Sequence, residues 1–314
     1  MEIDASKSPI KSIGINGNSA MWEGDLEKLE KWLALFESLG FDHVEIPPHG
    51  LDVVVGGNIN RKRLERIKSI LQRFDLNYTV HAPDFLNLMD YKNINLHKAV
   101  FNASLEFTYE IRGRLLVYHA GRIPAEYERD ETLLEELKAM ERELLKEFSD
   151  SISNTDILIG IENADVDPSI VFGRKYAYSA LIDKLVEQVS KIGKSNVGIT
   201  LDFGHAKVAS THFGFDYLSS IMLASPYINS LHVYDSFGRP NDMDEGLPYM
   251  FQLIYGLDDL HLPLGWGDIP LEEAFSRLEI SQAFMTIELN HRYKDEYTES
   301  LRIARYLASL VKER

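Results

Sequence analysis

The chain has 314 residues, 45% of them hydrophobic, which is enough for one sizeable core and a single domain. It contains no cysteine, which excludes disulfides, a thiolate metal site and a cysteine nucleophile. Lys plus Arg is 33 against 49 Asp plus Glu, a formal charge of −16, so the surface repels phosphate backbones at long range and nucleic acid is disfavoured as a partner.

The N-terminal stretch MEIDASKSPIKS lacks the apolar core of a secretory leader, and no apolar run approaches the ~18 residues that suggest a membrane span. A soluble cytoplasmic protein is expected. Ser12–Asn16 opens a series of short apolar runs read as strands. The helical pattern Asp25–Leu39 follows and stops at Gly40, a natural C-cap. Next come strand Asp42–Ile46, helix Asn60–Phe74, strand Tyr78–Ala82 and helix Leu96–Glu110. Strand Leu115–His119 leads to helix Glu131–Phe148, with Asp130 as its cap. Strand Ile157–Glu162 and helix Tyr178–Ile192 precede strand Val197–Leu201 and helix Phe215–Leu223. Strand Ser230–Val233, helix Leu271–Leu278 behind Pro270, strand Ala283–Leu289 and helix Tyr297–Val311 with Thr298 near its start complete the chain.

Continuous apolar runs, rather than alternating ones, indicate strands buried on both faces of a parallel sheet. Eight strand–helix alternations predict an α/β fold of the (β/α)8 TIM-barrel class over residues 1–314, with a long loop insertion at about 234–269 after strand seven. That loop, with Tyr249, Met250, Phe251 and Tyr255, suits a substrate lid, a subunit contact or a satellite core. A doubly wound sheet would carry a glycine-rich phosphate loop after its first strand; here Gly14-Ile15-Asn16-Gly17-Asn18-Ser19 does not fit that fingerprint.

In this barrel class the active site lies at the C-terminal ends of the strands. Strand three ends in His81, strand four in His119, strand five in Glu162, strand six in Asp202 with His205 three residues on, and strand seven in His232 and Asp235. Asp259 and His261 follow in the long loop, and strand eight delivers Glu288. A single strand-end histidine is more often a hydrogen-bonded core residue than a ligand, but the nine of these other than Asp235, gathered at one face, call for a common cause. Glu162, Asp202, Asp259 and Glu288 in one partly buried cleft must protonate, splay apart or share cations. Mixed histidine and carboxylate donors suit zinc, manganese or iron. Three carboxylates against one divalent ion leave that shell at −1, able to polarise a neutral sugar; four against three ions leave +2, attractive to a phosphate ester.

The runs HAPDFLNL (81–88), VYHAG (117–121), IEN (161–163), LDFGHA (201–206), LHVYDS (231–236), DLHLPLGWGDI (259–269) and IELN (287–290) together resemble the xylose isomerase-like TIM-barrel superfamily. That group spans sugar (phosphate) isomerases and epimerases and the endonuclease IV repair enzymes. The resemblance to mononuclear ketose epimerases implies that Glu162, Asp202, His232 and Glu288 hold one metal. It also implies that Glu162 and Glu288 exchange the substrate proton on opposite faces of an enediolate, with His205 against the substrate oxygens. The resemblance to endonuclease IV implies three zinc ions: His81, His119 and Glu162 on one, Glu162 bridging to a second with Asp202, His232 and Glu288, and His205, Asp259 and His261 on the third. There the chain departs by having Ala164-Asp165-Val166-Asp167 where that family has a Thr-Ala-Gly-Gln-type run, and by acidic Asp242, Asp244 and Glu245 at the rim. The expectation is a metal-dependent isomerase or epimerase of a small sugar, sugar phosphate or polyol, with one to three divalent ions, zinc or manganese foremost. A trinuclear zinc phosphoesterase, cleaving at abasic sites, is the alternative. Glu45, Arg239 and Trp266 are candidate substrate contacts, with Arg122 a second candidate anion contact.

Overall fold

The computed structural model describes residues 8–314, so most of the stretch read for a secretory leader lies outside the described residues. Eight parallel strands close into a barrel: β1 (Ile10–Asn16), β2 (His43–Ile46), β3 (Asn77–His81), β4 (Leu115–His119), β5 (Leu158–Glu162), β6 (Val197–Asp202), β7 (Ile228–Val233) and β8 (Ala283–Ile287). Each strand pairs with its sequence neighbours and β8 closes on β1, so the expected (β/α)8 barrel is the fold. The strands are largely buried because both faces are covered; every residue of β2 and of β6 is buried. Among the described residues no helix is long and apolar enough to cross a membrane.

Register sets which side chains meet at the top of the barrel. His119 pairs with Glu162, Glu162 with Thr200, and Asp202 with His232, so the acidic and imidazole residues occupy adjoining rungs. Asp25 caps the helix Leu26–Leu39 by accepting from the Glu27 and Lys28 amides, and Gly40 ends that helix at φ 83°. Asn60 and Asp130 cap the helices Arg61–Leu71 and Glu131–Ser151.

Three expectations shift. The helix placed at Phe215–Leu223 is observed at Tyr217–Ala224, and another, Phe203–Phe213, precedes it without a loop after β6. Its run FGHAKVASTHF buries Phe203, Gly204, His205, Ala206, Val208, Ala209 and Ser210, so it lacks the polar face that marks a helix in sequence. Thr298 lies inside the last helix, Tyr297–Leu310, whose N-terminus has no side-chain cap. The segment after β7 includes a short helix, Tyr249–Tyr255, and is folded back on itself by an antiparallel bridge between Asp235 and Leu262.

One buried carboxylate fixes the turn after β4. Glu141, in the helix Glu131–Ser151, accepts from Tyr118 Oη (2.8 Å), the Gly121 amide (2.7 Å), Tyr178 Oη (2.6 Å) and Gln188 Nε2 (3.2 Å). Burial pushes its carboxyl up, and these donors oppose that. Replacing Glu141 by Ala orphans all four donors and is expected to cost about 3 to 5 kcal/mol, read from urea denaturation midpoints. A loss below about 1 kcal/mol would show that water replaces the carboxylate.

Candidate metal centre

A cleft of about 440 Å³ opens at the C-terminal ends of the strands, lined by His81, His119, Glu162, His205, Asp259, His261 and Glu288 among others. Nine of the ten residues singled out there, all but Asp235, lie in or directly beneath it. Glu162 is the hub. Its Oε2 lies 2.9 Å from His119 Nε2 and 3.3 Å from His81 Nε2, and its Oε1 lies 3.0 Å from His232 Nδ1. His232 Nδ1 is also 3.3 Å from Glu288 Oε1. Asp202 and His232 are both fully buried and do not line the cleft; Glu162, 1% exposed, and Glu288 do.

Asp202 caps the helix Phe203–Phe213: its Oδ1 accepts from the His205 amide at 2.7 Å. His205 therefore stands in the first turn of that helix. Its Nδ1 donates to the Asn163 carbonyl (2.9 Å), which turns Nε2 toward Asp259 Oδ2, 3.3 Å away. Asp259 Oδ2 also receives His261 Nε2 at 2.7 Å.

Electrostatics follows from this crowding. Burial pushes the Asp202 carboxyl up to about 7; Glu162, Glu288 and Asp259 add to that while His205 opposes it. Burial would raise Glu162 as well, yet His232 and His119 hold it well below the usual carboxylate range. Burial pulls His81 and His205 down, but adjacent carboxylates outweigh it and raise both to about 10. His261 is raised to about 9 by the same balance, chiefly through Asp259. Protons thus take the place that cations would fill.

Among the described residues, three sets bring one donor atom each within 4.8 Å of one another: Glu162, Asp202, His232 and Glu288; His81, His119 and Glu162; and Glu45, His81, His232 and Glu288. His205, Asp259 and His261 form no such set. Asp202 Oδ2 is buried without a hydrogen-bond partner and belongs to the first set, so the donor chemistry there fits a divalent cation.

The expected substrate contacts fare unevenly. Glu45 lines the cleft, but it is buried and its Oε2 lies 3.4 Å from His232 Nε2, so it belongs to the cluster. Arg239 and Trp266 lie outside the cleft lining. The Arg239 guanidinium sits over the Phe237 ring and donates to the Tyr255 carbonyl, and Trp266 packs edge-on against Tyr293 at 5.4 Å. Asp235 holds its own loop, accepting from the Ser236, Gly265 and Ile269 amides. Arg122 does line the cleft, but its guanidinium is committed to Asp165 and to Asp167 (2.6 Å). Tyr234 and Asn163 escaped the sequence pattern, although LHVYD and IEN flagged their neighbours.

A family model described as xylose isomerase-like TIM barrel matches residues 33–309. The uncharacterised protein MJ1311 of Methanocaldococcus jannaschii is 24% identical over 310 residues, covering 92% of this chain and 95% of that protein. Among solved structures, a D-tagatose 3-epimerase-like protein superposes with a TM-score of 0.67 at 21% identity, covering 96% of this chain and 98% of the other. A D-psicose 3-epimerase, solved in the presence of D-fructose, gives 0.65 at 15% identity with 95% and 99% coverage. At these identities the structural likeness establishes the fold.

Proposed function

The chain belongs to the xylose isomerase-like TIM barrel family, and from that premise we propose that it is a divalent-metal-dependent epimerase or isomerase of a small sugar or related polyol. One observation carries the reading. Of the four residues that converge as a ligand set, Glu162 and Glu288 reach the cleft while Asp202 and His232 are closed off beneath it. Such a centre leaves two carboxylates facing the substrate. Glu162, Asp202, His232 and Glu288 would hold the ion, which supplies polarisation of neighbouring substrate oxygens when bound.

The remaining chemistry belongs to the chain. One of Glu162 and Glu288 removes the proton from the carbon beside a carbonyl, and the other returns a proton from its own side. His205, held through Nδ1 by the Asn163 carbonyl, presents Nε2 to the cleft and orients a hydroxyl. The epimerase names of the superposed structures agree with a ketose-type substrate. Residues 8–314 serve as one barrel domain, with the segment after β7 reaching the cleft through Asp259 and His261.

The test is solvent deuterium incorporation across a panel of ketoses, with and without added Mn²⁺ or Zn²⁺. Metal-dependent entry of deuterium next to the carbonyl is expected; its absence across the panel would sink the reading.

A second reading, a phosphoesterase with two or three ions, draws on the His81, His119 and Glu162 set, which shares Glu162 with the first. It requires more than one ion per chain by elemental analysis and cleavage of an abasic-site duplex. A single ion with no cleavage excludes it.

A further inference from the structure

Tyr234 follows β7 directly, is fully buried and does not line the cleft, so it contacts no substrate there. Its hydroxyl donates toward Asp202 Oδ1 at 3.1 Å and toward Asp259 Oδ1, sharing one proton between two carboxylates. Its ring stacks on His261 with centroids 4.2 Å apart and planes 15° from parallel. The ring also lies against Gly204, where an added Cβ would come within 2.3 Å of the hydroxyl oxygen. Glycine at that helix position is what admits the tyrosine.

The consequence for Asp202 is specific. Oδ1 is pinned by two donors, the His205 amide at 2.7 Å and the Tyr234 hydroxyl at 3.1 Å. Oδ2 is left buried and without a partner. A carboxylate held by one oxygen presents the other in a fixed direction, which is how groups behind a ligand orient it. Asp259, within the long segment after β7, is held by the same hydroxyl.

We propose that Tyr234 is a positioning residue: it orients Asp202 so that Oδ2 faces the ion, and it ties that ligand to Asp259 in the long segment. The proposal rests on the metal-dependent reading above. The Asp202 backbone is held independently, its amide donating to Asn163 Oδ1 at 2.8 Å, so the effect of the hydroxyl falls on metal affinity rather than on the fold.

The experiment is titration of Mn²⁺ into the metal-stripped full chain, with free Mn²⁺ read by electron paramagnetic resonance. Tyr234→Phe keeps the ring and its stack on His261 and removes only the hydroxyl. It is expected to weaken Mn²⁺ binding about 10- to 100-fold. Tyr178→Phe is the matched control, removing a buried tyrosine hydroxyl from Glu141, which belongs to none of the ligand sets. Its Kd should stay within about twofold of wild type, as for independent sites. Gly204→Ala, whose Cβ would come within 2.4 Å of the Tyr234 hydroxyl and of the ring carbons beside it, displaces the whole ring and should weaken binding in the same direction. A Tyr234→Phe Kd within about twofold of wild type, or equal weakening by Tyr178→Phe, overturns the proposal. A wild-type chain that takes up no Mn²⁺ overturns instead the metal reading on which it rests.

Discussion

Replacing Glu162 by Gln is expected to lower turnover about 10²- to 10⁴-fold and to strip the bound ion at the same time. The amide keeps the shape of the side chain but loses the charge on which His81, His119 and His232 converge, at 3.3, 2.9 and 3.0 Å. An amide nitrogen facing those imidazoles cannot accept from them, so at least one buried donor is orphaned. Glu288→Gln separates the two roles. Glu288 touches the cluster through His232 Nδ1 at 3.3 Å and His261 Nδ1 at 3.9 Å, while Glu162, Asp202 and His232 remain to hold the ion. It should therefore lose turnover to a similar degree, about 10²- to 10⁴-fold, with metal content mostly retained. Steady-state kinetics alongside metal content measured on the same samples decides the matter. Wild-type turnover by Glu162→Gln would remove Glu162 from the acid–base role, and full metal content would remove it from the ligand set.

The barrel was legible because its strands are buried on both faces, and an apolar run flanked by amphipathic helices leaves few other folds. The cleft was legible for a related reason. Parallel strands in consecutive register deliver their last residues to one rim, so reading HAP, VYHAG, GIEN and TLDFGH by their final residues placed His81, His119, Glu162 and Asp202 side by side. What strand ends do not encode is how each side chain is turned. Asp202 was visible as a strand-end acid. That its Oδ1 caps the next helix and bonds Tyr234, leaving Oδ2 free, depends on a helix whose nearly all-round burial hides it in sequence. Glu45 reads as a modest acid at the end of β2, yet the barrel turns it inward to His232, a residue 187 positions away.

Arg239 and Trp266 lie outside the cleft lining, in a region that strand ends do not encode. Both lie in the long segment after β7, whose path is set by contacts distant in sequence. The Asp235 carboxylate gathers the Ser236, Gly265 and Ile269 amides, and an added Cβ at Gly267 would meet the Ser236 carbonyl at 2.3 Å. That turn points Trp266 at Tyr293, leaving it half exposed, and the bridge between Arg239 and Leu257 keeps Arg239 against its own loop. Arg122 shows a third case. Its charge is paired with Asp165 and Asp167, the same two acids that set this chain apart from the endonuclease pattern, so the cation is not free for a substrate anion and the trio is left net negative.

Metal and protons should compete for the same atoms, so the metal-free protein should lose more stability than the loaded protein as pH rises. His81 and His205 are raised to about 10 and His261 to about 9, so the folded state binds these protons more tightly than the unfolded chain does. Their contribution is complete below the ordinary imidazole value near 6.5 and is lost as pH climbs through 9 to 10. Asp202, raised to about 7, acts in the same direction at lower pH, its contribution fading as pH passes from about 4 to 7. Glu45, Glu162 and Asp259 are lowered and act oppositely, losing their contribution as pH falls through the acid range. The metal-free Tm should therefore peak in mildly acidic to neutral solution and fall toward pH 10. An ion on Glu162, Asp202, His232 and Glu288 must displace the proton of His232, which is raised well above the imidazole range, and below about pH 7 that of Asp202 as well. Binding should accordingly tighten by about two decades per pH unit near pH 6 and about one near pH 8. At a thousandfold excess over Kd the ion adds about 4 kcal/mol of stability. Thermal melts with and without Mn²⁺ from pH 5.5 to 9.5 give the check: the gap between the two curves should widen steadily with pH. A constant gap would mean that the ion binds away from these buried residues, because only a site built from protonated ligands makes metal affinity follow pH in this way.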